Sequence, residues 1–213
     1  MSELTLEQRV FRNEAYREIQ NVMGKYVFYR MYDMLEETTR LFSSRPDTTV
    51  EMPWGIYQGS DAAWRCFVAD HSTSPEEHVG SMTIHDVCTP VIEIAGDCKT
   101  AKAVWISPGL ATAHGPAGKK GLWAWLRYGC DFIYEDGVWH IWHMHKYGLF
   151  TVPTDKSWTD EDPMAFMRAG NAPPPPPPKR SNDAPPSGHY GYQRTGNLDH
   201  ALLPPEPYDT FEP

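Results

Sequence analysis

The spacing of apolar side chains divides the chain into a helical first part and a strand-forming second part. Across residues 4–42, apolar positions recur at intervals of three and four, which predicts a helix. One face of this helix would carry Ile19, Met23, Tyr26, Arg30 and Asp33. That face is apolar where it begins and polar and aromatic where it ends.

A short hairpin and a second helix are predicted between residues 49 and 70. The segment TTVEMPWGIYQGSD has strand-forming residues on both sides of Pro53–Gly55, which we expect near its turn. Ser60 or Asp61 can cap a following helix that runs through Phe67 and Asp70.

From residue 80 onward the pattern is that of β-strands. Four segments rich in β-branched and aromatic residues follow one another: SMTIHDVCTPVIEIAGD, CKTAKAVWISPGLATA, GLWAWLRYGCDFIYED and GVWHIWHMHKYGLFTV. The turn-forming stretches AGD, HGPAGKKG and EDG separate them. Asp136-Gly137, between the last two segments, is a strong hairpin signal. This order predicts a β-meander.

The elements together predict an α+β fold in which the N-terminal helices cover one face of a curved antiparallel sheet. Such packing forms a cone with an open mouth, and a small molecule would bind between the helices and the sheet. We assign residues 1–158 to this domain.

The composition changes after Pro153, and residues 159–213 form a proline-rich C-terminal extension. Six consecutive prolines favour an extended polyproline conformation over helix or central strand. Disorder is one interpretation of such a tail. Several apolar side chains could instead anchor it: Tyr190, Tyr192, Leu202, Leu203, Tyr208 and Phe211. We therefore expect an arm packed on its own domain or on a neighbouring subunit.

Charge and motifs exclude several classes of function. The formal charge is −9 and the 19 Lys and Arg residues are scattered, so the electrostatic attraction that drives nucleic-acid binding is missing. The sequence has no signal-peptide pattern and no run of about 18 apolar residues, which predicts a cytoplasmic protein without a membrane partner. Nucleotide-binding, serine-hydrolase and zinc-protease motifs are absent. We expect no cofactor, which leaves proton-transfer chemistry.

Histidines on the predicted strands are the first candidates for this chemistry. His85 lies in SMTIHDV, where an imidazole could take up and return a proton near neutral pH; a structural histidine in the sheet wall is the alternative. Strict alternation in the closing strand would put Trp139, Ile141, His143, His145 and Tyr147 on one face and His140, Trp142, Met144 and Lys146 on the other. We predict His143 as the catalytic partner of His85 and His145 as a substrate contact.

A His-x-His pair such as His143 and His145 could also chelate zinc or iron. No third ligand has a clear spacing, so we predict no metal. A sheet-to-sheet dimer surface is a further use for these histidines.

The end of the first helix offers hydrogen-bond donors. Tyr26, Tyr29 and Arg30 lie about one turn apart and could stabilise a phenolate, an enolate or a departing hydroxyl group. Asp33 would complete this surface as a substrate contact, although a solvated helix end also accounts for Arg30 and Asp33.

Aromatic residues could supply flat walls for a ring-shaped substrate. The candidates are Trp54, Tyr57, Trp105 and Trp125, each with core packing as the alternative. Glu51, beside the hairpin, is a further substrate contact and a candidate carboxylate base.

Three phrases of the sequence resemble a known family: GKYVFYRMYD in the first helix, IHDVCTPVIEIAGD at the start of the meander and DGVWHIWHMHKYGLFTVP at its end. Over roughly residues 5–158 the chain resembles the SnoaL-like branch of the nuclear-transport-factor-like cone-fold superfamily. That branch includes scytalone dehydratase, bile-acid dehydratases, steroid isomerases, polyketide cyclases and the diarylpropane lyases of lignin breakdown, which work without metals or organic cofactors.

The resemblance implies roles for two residues. Tyr26 matches the helix tyrosine that faces the pocket, and His85 matches the histidine that acts as general acid and base. The pattern differs in two places, because Met31 replaces an acidic residue expected after the tyrosine and Ser107 lies where a strand carboxylate is expected.

We therefore predict a cofactor-free lyase that acts on a hydroxylated aromatic small molecule. The resemblance to diarylpropane lyases implies a lignin-derived diarylpropane diol, cleaved through a quinone methide with release of formaldehyde. A steroid- or polyketide-type isomerase, dehydratase or cyclase is an alternative, as is a non-catalytic binding module. The resemblance also implies a homo-oligomer, either a dimer or a trimer.

Overall fold

The structure is a computed structural model that describes residues 4–70, 79–115, 118–161, 180–188, 191–198 and 202–212. The proline run at 173–178 and the predicted anchor Tyr190 lie outside these ranges.

The predicted N-terminal helix is present as two helices. Helix α1 spans Leu6–Met31 and α2 spans Leu35–Thr39. Between them Asp33 adopts a left-handed backbone conformation with φ 54°, which an α-helix cannot continue through. The expectation of one helix over residues 4–42 is therefore wrong at this break, which leaves Arg30 in the last turn of α1.

Helix α1 begins with a capping box. The Gln8 N–H donates to Thr5 Oγ1 at 3.2 Å, and the Thr5 N–H donates to Gln8 Oε1 at 3.0 Å. Two of the N–H groups that the first turn leaves unpaired are thereby satisfied.

The strands follow the predicted order. Their bounds are β1 Thr49–Met52, β2 Gly55–Gln58, β3 Thr83–His85, β4 Cys88–Ile94, β5 Thr100–Gly115, β6 Gly118–Glu135 and β7 Val138–Pro153. A short helix α3, Ala62–Trp64, continues into a π-helical turn at Arg65–Ala69. Asp61 precedes α3 but makes no side-chain cap, because its carboxylate accepts a hydrogen bond from Arg65 Nε at 3.0 Å instead.

The strands form one curved, unclosed sheet in the order β2-β1-β7-β6-β5-β3, and β4 also pairs with β5. Strands β5, β6 and β7 are antiparallel neighbours, which confirms the meander. Asp136 and Gly137 both have positive φ, 52° and 82°, as the predicted tight hairpin turn requires. Strand β1 runs parallel to β7, so the sheet is mixed.

Helix α1 packs on one face of this sheet, here called the inner face. Ile19, Met23 and Tyr26 are buried there, and burial of such an apolar side chain stabilises the fold by about 1.5–3 kcal/mol. The ring of Tyr26 stands edge-on to those of Phe67 and Tyr128, with centroids 5.9 Å apart in both pairs.

A β-bulge in β7 decides which of its residues face inward. Asp131 of β6 pairs with His143, whereas the next residue, Phe132, pairs with Ile141. Trp142 is therefore an extra residue in the ladder. Because of it, Ile141 and Met144 both contribute to the core on the inner face although they are three residues apart.

The strict alternation predicted for the closing strand is consequently wrong beyond Trp142. Lys146 follows Met144 on the inner face and lines the cavity beside α1. His143 and His145 lie on the opposite, outer face.

The described parts of the C-terminal extension contact the same chain. Ala184 forms a β-bridge with Ile56, and Asp183 forms an ion pair with Arg65 at 2.8 Å. The Tyr208 carbonyl accepts from the Gly96 N–H at 2.9 Å.

The last described segment, residues 202–212, covers part of the outer face. The Phe211 ring lies 4.8 Å from that of Trp142, and the Lys102 ammonium lies 4.8 Å from the centroid of Phe211. At Gly129 a Cβ would lie only 2.7 Å from Leu202 Cδ1, so the bare backbone makes room for the arm.

Candidate active site

A cavity of about 250 Å³ lies between the C-terminal end of α1 and the inner face of the sheet. Its lining is aromatic, basic and partly polar: Tyr26, Val27, Arg30, Met31, Asp33, Met52, Trp54, Phe67, Thr83, His85, Tyr128 and Lys146. Five of the predicted site residues therefore meet here, namely Tyr26, Arg30, Asp33, Trp54 and His85.

His85 is held against strand β5. It pairs with Gly109, where a Cβ would collide with His85 Nδ1 and with the carbonyl oxygen of Ile84. Only glycine permits this close approach of the two strands. The Nδ1 atom of His85 is buried and has no hydrogen-bond partner among the described residues.

The environment of His85 keeps its imidazole neutral. Burial, followed by the positive charges of Lys146 and Arg30, lowers its pKa to about 3. In this state the imidazole is a hydrogen-bond acceptor and a weak base. A negative charge on a bound ligand would offset Lys146 and Arg30 and raise this pKa, and that rise is what proton uptake by His85 requires.

Lys146 is a cavity residue that sequence reasoning did not select. It pairs with Tyr128 across β6 and β7, and its Nζ lies 6.0 Å from the centroid of the tyrosine ring. Burial and the charge of Arg30 lower its pKa to about 8, so the amine can both donate and accept a proton near neutral pH. The sequence did carry a signal for this position. Lys146 lies two residues after the apolar Met144, and in a strand such residues lie on the same face.

Two tyrosine hydroxyls are hydrogen-bonded to each other at the base of the cavity. Tyr26 and Tyr128 are both buried, and burial is the main cause that raises the pKa of each. Both therefore remain protonated, and because Tyr128 donates to Tyr26, the Tyr26 hydroxyl hydrogen is the one left for a ligand.

Arg30 closes one side of the cavity from the last turn of α1. Its guanidinium carbon lies 5.1 Å from the centroid of Phe67. Its Nη1 atom is buried and has no hydrogen-bond partner among the described residues. This is a charged donor aimed into a site that water reaches poorly, where such donors are most effective.

Trp54 forms an aromatic wall that other residues support from behind. Its Nε1 donates to the Tyr57 hydroxyl at 3.2 Å, and that hydroxyl donates to Asp70 Oδ2 at 2.8 Å. The guanidinium of Arg180, in the C-terminal extension, lies 4.5 Å from the centroid of Trp54. Tyr57 is thus a buried support of the wall, and the prediction that it lines the pocket is wrong.

Three further predicted residues do not line the inner cavity. Trp105 is buried in the core, with its ring 6.1 Å from that of Phe132. Trp125 stacks on Phe150 at 5.5 Å. Tyr29 lies beside Arg30 in α1 but is not among the residues that border the cavity. In each case the sequence predicted the correct helix or strand, but in the folded protein the side chain lies away from the inner cavity.

The remaining predicted residues, Glu51, His143 and His145, border a second cavity of about 400 Å³ on the outer face. His143 Nδ1 lies 2.9 Å from Asp131 Oδ2, and its Nε2 lies 3.1 Å from the Asp47 carbonyl oxygen. The prediction that His143 is the partner of His85 is wrong in its placement, because the sheet separates the two side chains.

His145 and Glu51 are bonded to each other and to the arm. His145 Nε2 lies 3.2 Å from Glu51 Oε1, and the same oxygen accepts from the N–H and hydroxyl of Ser187 at 2.7 Å each. These residues therefore fasten the extension to the sheet, and their predicted contact with a substrate in the inner cavity is wrong.

The described ranges contain neither a cluster of metal ligands nor a helix that could span a membrane. Within them no three His, Cys, Asp or Glu side chains are arranged to hold a metal ion. No helix of the described part is both long enough and apolar enough to cross a membrane.

The geometry agrees with a family comparison. A family model described as the SnoaL-like domain matches residues 12–145, more than half of the chain. The chain belongs to the SnoaL-like domain family. The matched region contains most of α1, the hairpin and most of the sheet, and all but Lys146 of the residues that line the inner cavity.

Solved structures resemble this SnoaL-like domain in fold. A protein assigned as a scytalone dehydratase from Novosphingobium aromaticivorans DSM 12444 is 16% identical, with a TM-score of 0.54 over 70% of this chain and 93% of that one. A type 2 hexachlorocyclohexane dehydrochlorinase, LinA, is 14% identical, with a TM-score of 0.56 over 68% and 92%. The type 3 LinA from Novosphingobium barchaimii LL02 is 14% identical, with a TM-score of 0.54 over 70% and 96%. No curated protein matches the chain.

Proposed function

We propose that this SnoaL-like protein is a cofactor-free lyase that removes water from a hydroxylated aromatic compound by proton transfer. The observation that carries the proposal is that His85, which is neutral, and Lys146 line the same cavity. An elimination requires a base and an acid in a site shielded from water. His85 and Lys146, which differ in charge, line such a cavity.

The roles follow from the protonation states. His85 accepts the proton from the carbon or phenol oxygen where the elimination begins. The Lys146 ammonium donates to the departing hydroxyl group, so that the C–O bond breaks, its electrons leave with oxygen, and water is released. Tyr26, supported by a hydrogen bond from Tyr128, and Arg30 donate hydrogen bonds to the oxygen on which negative charge develops.

An aromatic substrate is supported by the walls of the cavity. Trp54 and Phe67 offer flat apolar surfaces, and the volume of about 250 Å³ suits one substituted ring better than two. The names of the similar proteins also support elimination chemistry, since a dehydratase removes water and a dehydrochlorinase removes hydrogen chloride.

For a specific substrate we propose a lignin-derived diarylpropane diol, with one ring in the cavity. Loss of the phenol proton and of the benzylic hydroxyl would give a quinone methide and water. The terminal alcohol would then lose its O–H proton and its C–C bond would break, which returns two electrons to the quinone methide and releases formaldehyde. Both steps balance without an external oxidant or reductant.

A second candidate is an isomerase or cyclase. The observation in its favour is Asp33 at the cavity, which could act as a carboxylate base beside the two tyrosines.

A substrate panel in deuterated water tests the proposal. It would contain phenolic diols, a diarylpropane diol among them, hydroxysteroids and a ketosteroid. The reactions would be followed by ultraviolet absorbance, formaldehyde trapping and proton NMR. We expect a conjugated product from a phenolic diol, undiminished after treatment with a chelator. Deuterium exchange at a ketosteroid without loss of water would favour the isomerase. Binding of the panel without exchange or turnover would indicate a binding module and contradict both.

A further inference from the structure

We propose that the inner cavity binds its ligand as an aryl oxyanion, a carboxylate or an ionised phenol on an aromatic ring, held between Arg30 and Lys146. The inference concerns the cavity of the proposed function and rests on it. It adds the charge of the ligand, which the proposed elimination leaves open.

The first reason to expect an anionic ligand is the charge of the residues that line the cavity. Arg30 and Lys146 both line it, whereas Asp33 is the single acidic residue among the described lining residues and is itself exposed. The cavity is therefore cationic within a protein whose formal charge is −9. Such a local excess attracts an anion.

A second reason to expect an anionic ligand is that Arg30 has a buried nitrogen without an acceptor among the described residues. Other arginines have carboxylates, as Arg65 does at Asp61 and Asp183, at 3.0 and 2.8 Å. Arg30, in contrast, has a buried Nη1 without an acceptor in the described ranges. A buried charged donor that stays unpaired costs stability, and an anionic ligand would remove that cost.

Lys146 is the second cation of the cavity. Burial and the neighbouring charge of Arg30 lower its pKa to about 8, which means that its charged form is destabilised in the empty cavity. An anion between the two groups would stabilise both. The neutral His85 adds no competing charge.

The shape of the site indicates where the oxyanion is attached. Trp54, Phe67 and the Tyr26–Tyr128 pair surround the space, so a ring would lie against aromatic surfaces. Tyr128 donates its hydroxyl hydrogen to Tyr26, which leaves the Tyr26 hydroxyl hydrogen to donate to an oxyanion carried by that ring.

Matched pairs of probes test the inference by titration calorimetry. One pair is 4-nitrobenzoate and 4-nitrobenzamide; the other is 4-nitrophenol, studied above its pKa, and 4-nitroanisole. We expect the charged member to bind about 10- to 100-fold more tightly, the range of a charge-assisted hydrogen bond over a neutral one. The pair with the larger ratio identifies carboxylate or phenolate as the preferred group.

Variants assign the effect to the two cations. Arg30→Gln and Lys146→Met should each reduce the ratio about tenfold. Lys25→Gln is the control, because Lys25 is an exposed lysine of the same helix, and it should leave the ratio unchanged. Circular dichroism establishes that each variant is folded.

Proton uptake provides an independent readout. Binding of the anion raises the pKa of Lys146, so near pH 9 the complex should take up close to one proton, and near pH 6 almost none. The other groups that face Lys146 are Arg30, His85, Tyr26, Tyr128 and Cys66. Burial raises the pKa of the Cys66 thiol to about 12 and keeps both tyrosines protonated, so these groups do not titrate in this range. The uptake should disappear in Lys146→Met.

Equal affinity for charged and neutral probes, or ratios that survive both substitutions, would overturn the inference. The probes have no leaving group and therefore report binding alone. Anion binding without turnover of any panel compound would contradict the lyase proposal only, whereas turnover with equal affinity for neutral probes would contradict this inference only.

Discussion

The two cavities, on the inner and outer faces of the sheet, are lined by similar side chains in opposite states. On the outer face, His143 and His145 each lie beside a carboxylate, at 2.9 and 3.2 Å. On the inner face, His85 Nδ1 and Arg30 Nη1 are buried without a partner in the described ranges. Both faces border a cavity, and both contain histidines that the sequence marks as candidates.

The comparison teaches that pairing separates structural from functional polar groups. A histidine bonded to a carboxylate and a carbonyl contributes to stability and has little capacity left for a ligand. A polar atom that is buried and unpaired costs stability, and a fold tolerates that cost where a ligand will satisfy it. Single buried atoms without a partner in the described part of the chain also occur at Ser107, Trp139 and His140, which do not line the inner cavity. The inner cavity is the candidate active site because two such residues, His85 and Arg30, line it together, although the outer cavity is the larger.

Paired substitutions at His85 and His143 are expected to give the largest difference between the faces. His85→Gln should lower kcat/KM for the panel substrate about 10²- to 10⁴-fold, because it removes the proton acceptor. His143→Gln, the matched control, should leave kcat/KM unchanged. Steady-state kinetics would measure both, and equal losses would mean that the two faces do not differ in the way proposed.

Replacement of Gly109 tests whether the position of His85 depends on the close approach of β3 and β5. In Gly109→Ala the new Cβ collides with His85 Nδ1 and the Ile84 carbonyl, so stability should fall by about 1–3 kcal/mol and turnover should fall with it. Gly148→Ala is the control, because nothing lies within 4 Å of a Cβ at that position. Urea denaturation and turnover would be measured for both variants, and a fully active Gly109→Ala protein would show that His85 does not need this contact.

Replacement of Lys146, one of the two cations of the inner cavity, by an uncharged residue should stabilise the protein. Lys146→Met eliminates a buried charge whose pKa falls from 10.5 to about 8 on folding, so the free energy of unfolding near pH 7 should rise by about 1–3 kcal/mol. The sign follows from proton binding, since between these pKa values the unfolded chain holds the proton that the folded chain has lost. Below pH 8 Lys146 is charged in both the folded and the unfolded chain, and the full cost of burying its charge applies. Above pH 10.5 it is neutral in both, so the difference in stability between the variant and the wild type should vanish there. A variant less stable than the wild type at neutral pH would contradict the claim that burial destabilises the charge of Lys146.

Removal of an outer, paired group should have the opposite and smallest effect. His143→Gln loses the contact with Asp131, and because both side chains are about a quarter exposed, the expected loss of stability is only about 1 kcal/mol. Thermal unfolding of the single and double variants, His143→Gln and Asp131→Asn, would measure the coupling. A coupling near zero would show that the pair does not stabilise the outer face.

Local signals in the sequence predicted a large part of this structure. Asp136-Gly137 predicted its hairpin because few dipeptides accept two positive φ angles. Tyr26 was placed correctly because the helical period links it to Ile19 and Met23, which are buried. His85 was selected through a family resemblance, and the structure places it in the same cavity as Tyr26.

Two departures from regular structure limited what the sequence could predict, and the second of them caused the error in the closing strand. The break at Asp33 and the bulge at Trp142 both interrupt a regular period. A bulge depends on how two strands pair across about ten residues of sequence, so alternation within one strand cannot reveal it. For that reason His143 was chosen and Lys146 was passed over.

By itself the sequence determined the type and order of the elements and the family of the fold, because turns, caps and hydrophobic periods act between near neighbours. Only the tertiary structure decided which face of β7 meets helix α1, and which charges have partners. Pairing and burial depend on distances between residues remote in sequence, and these distances determine whether a histidine is a structural link or a base.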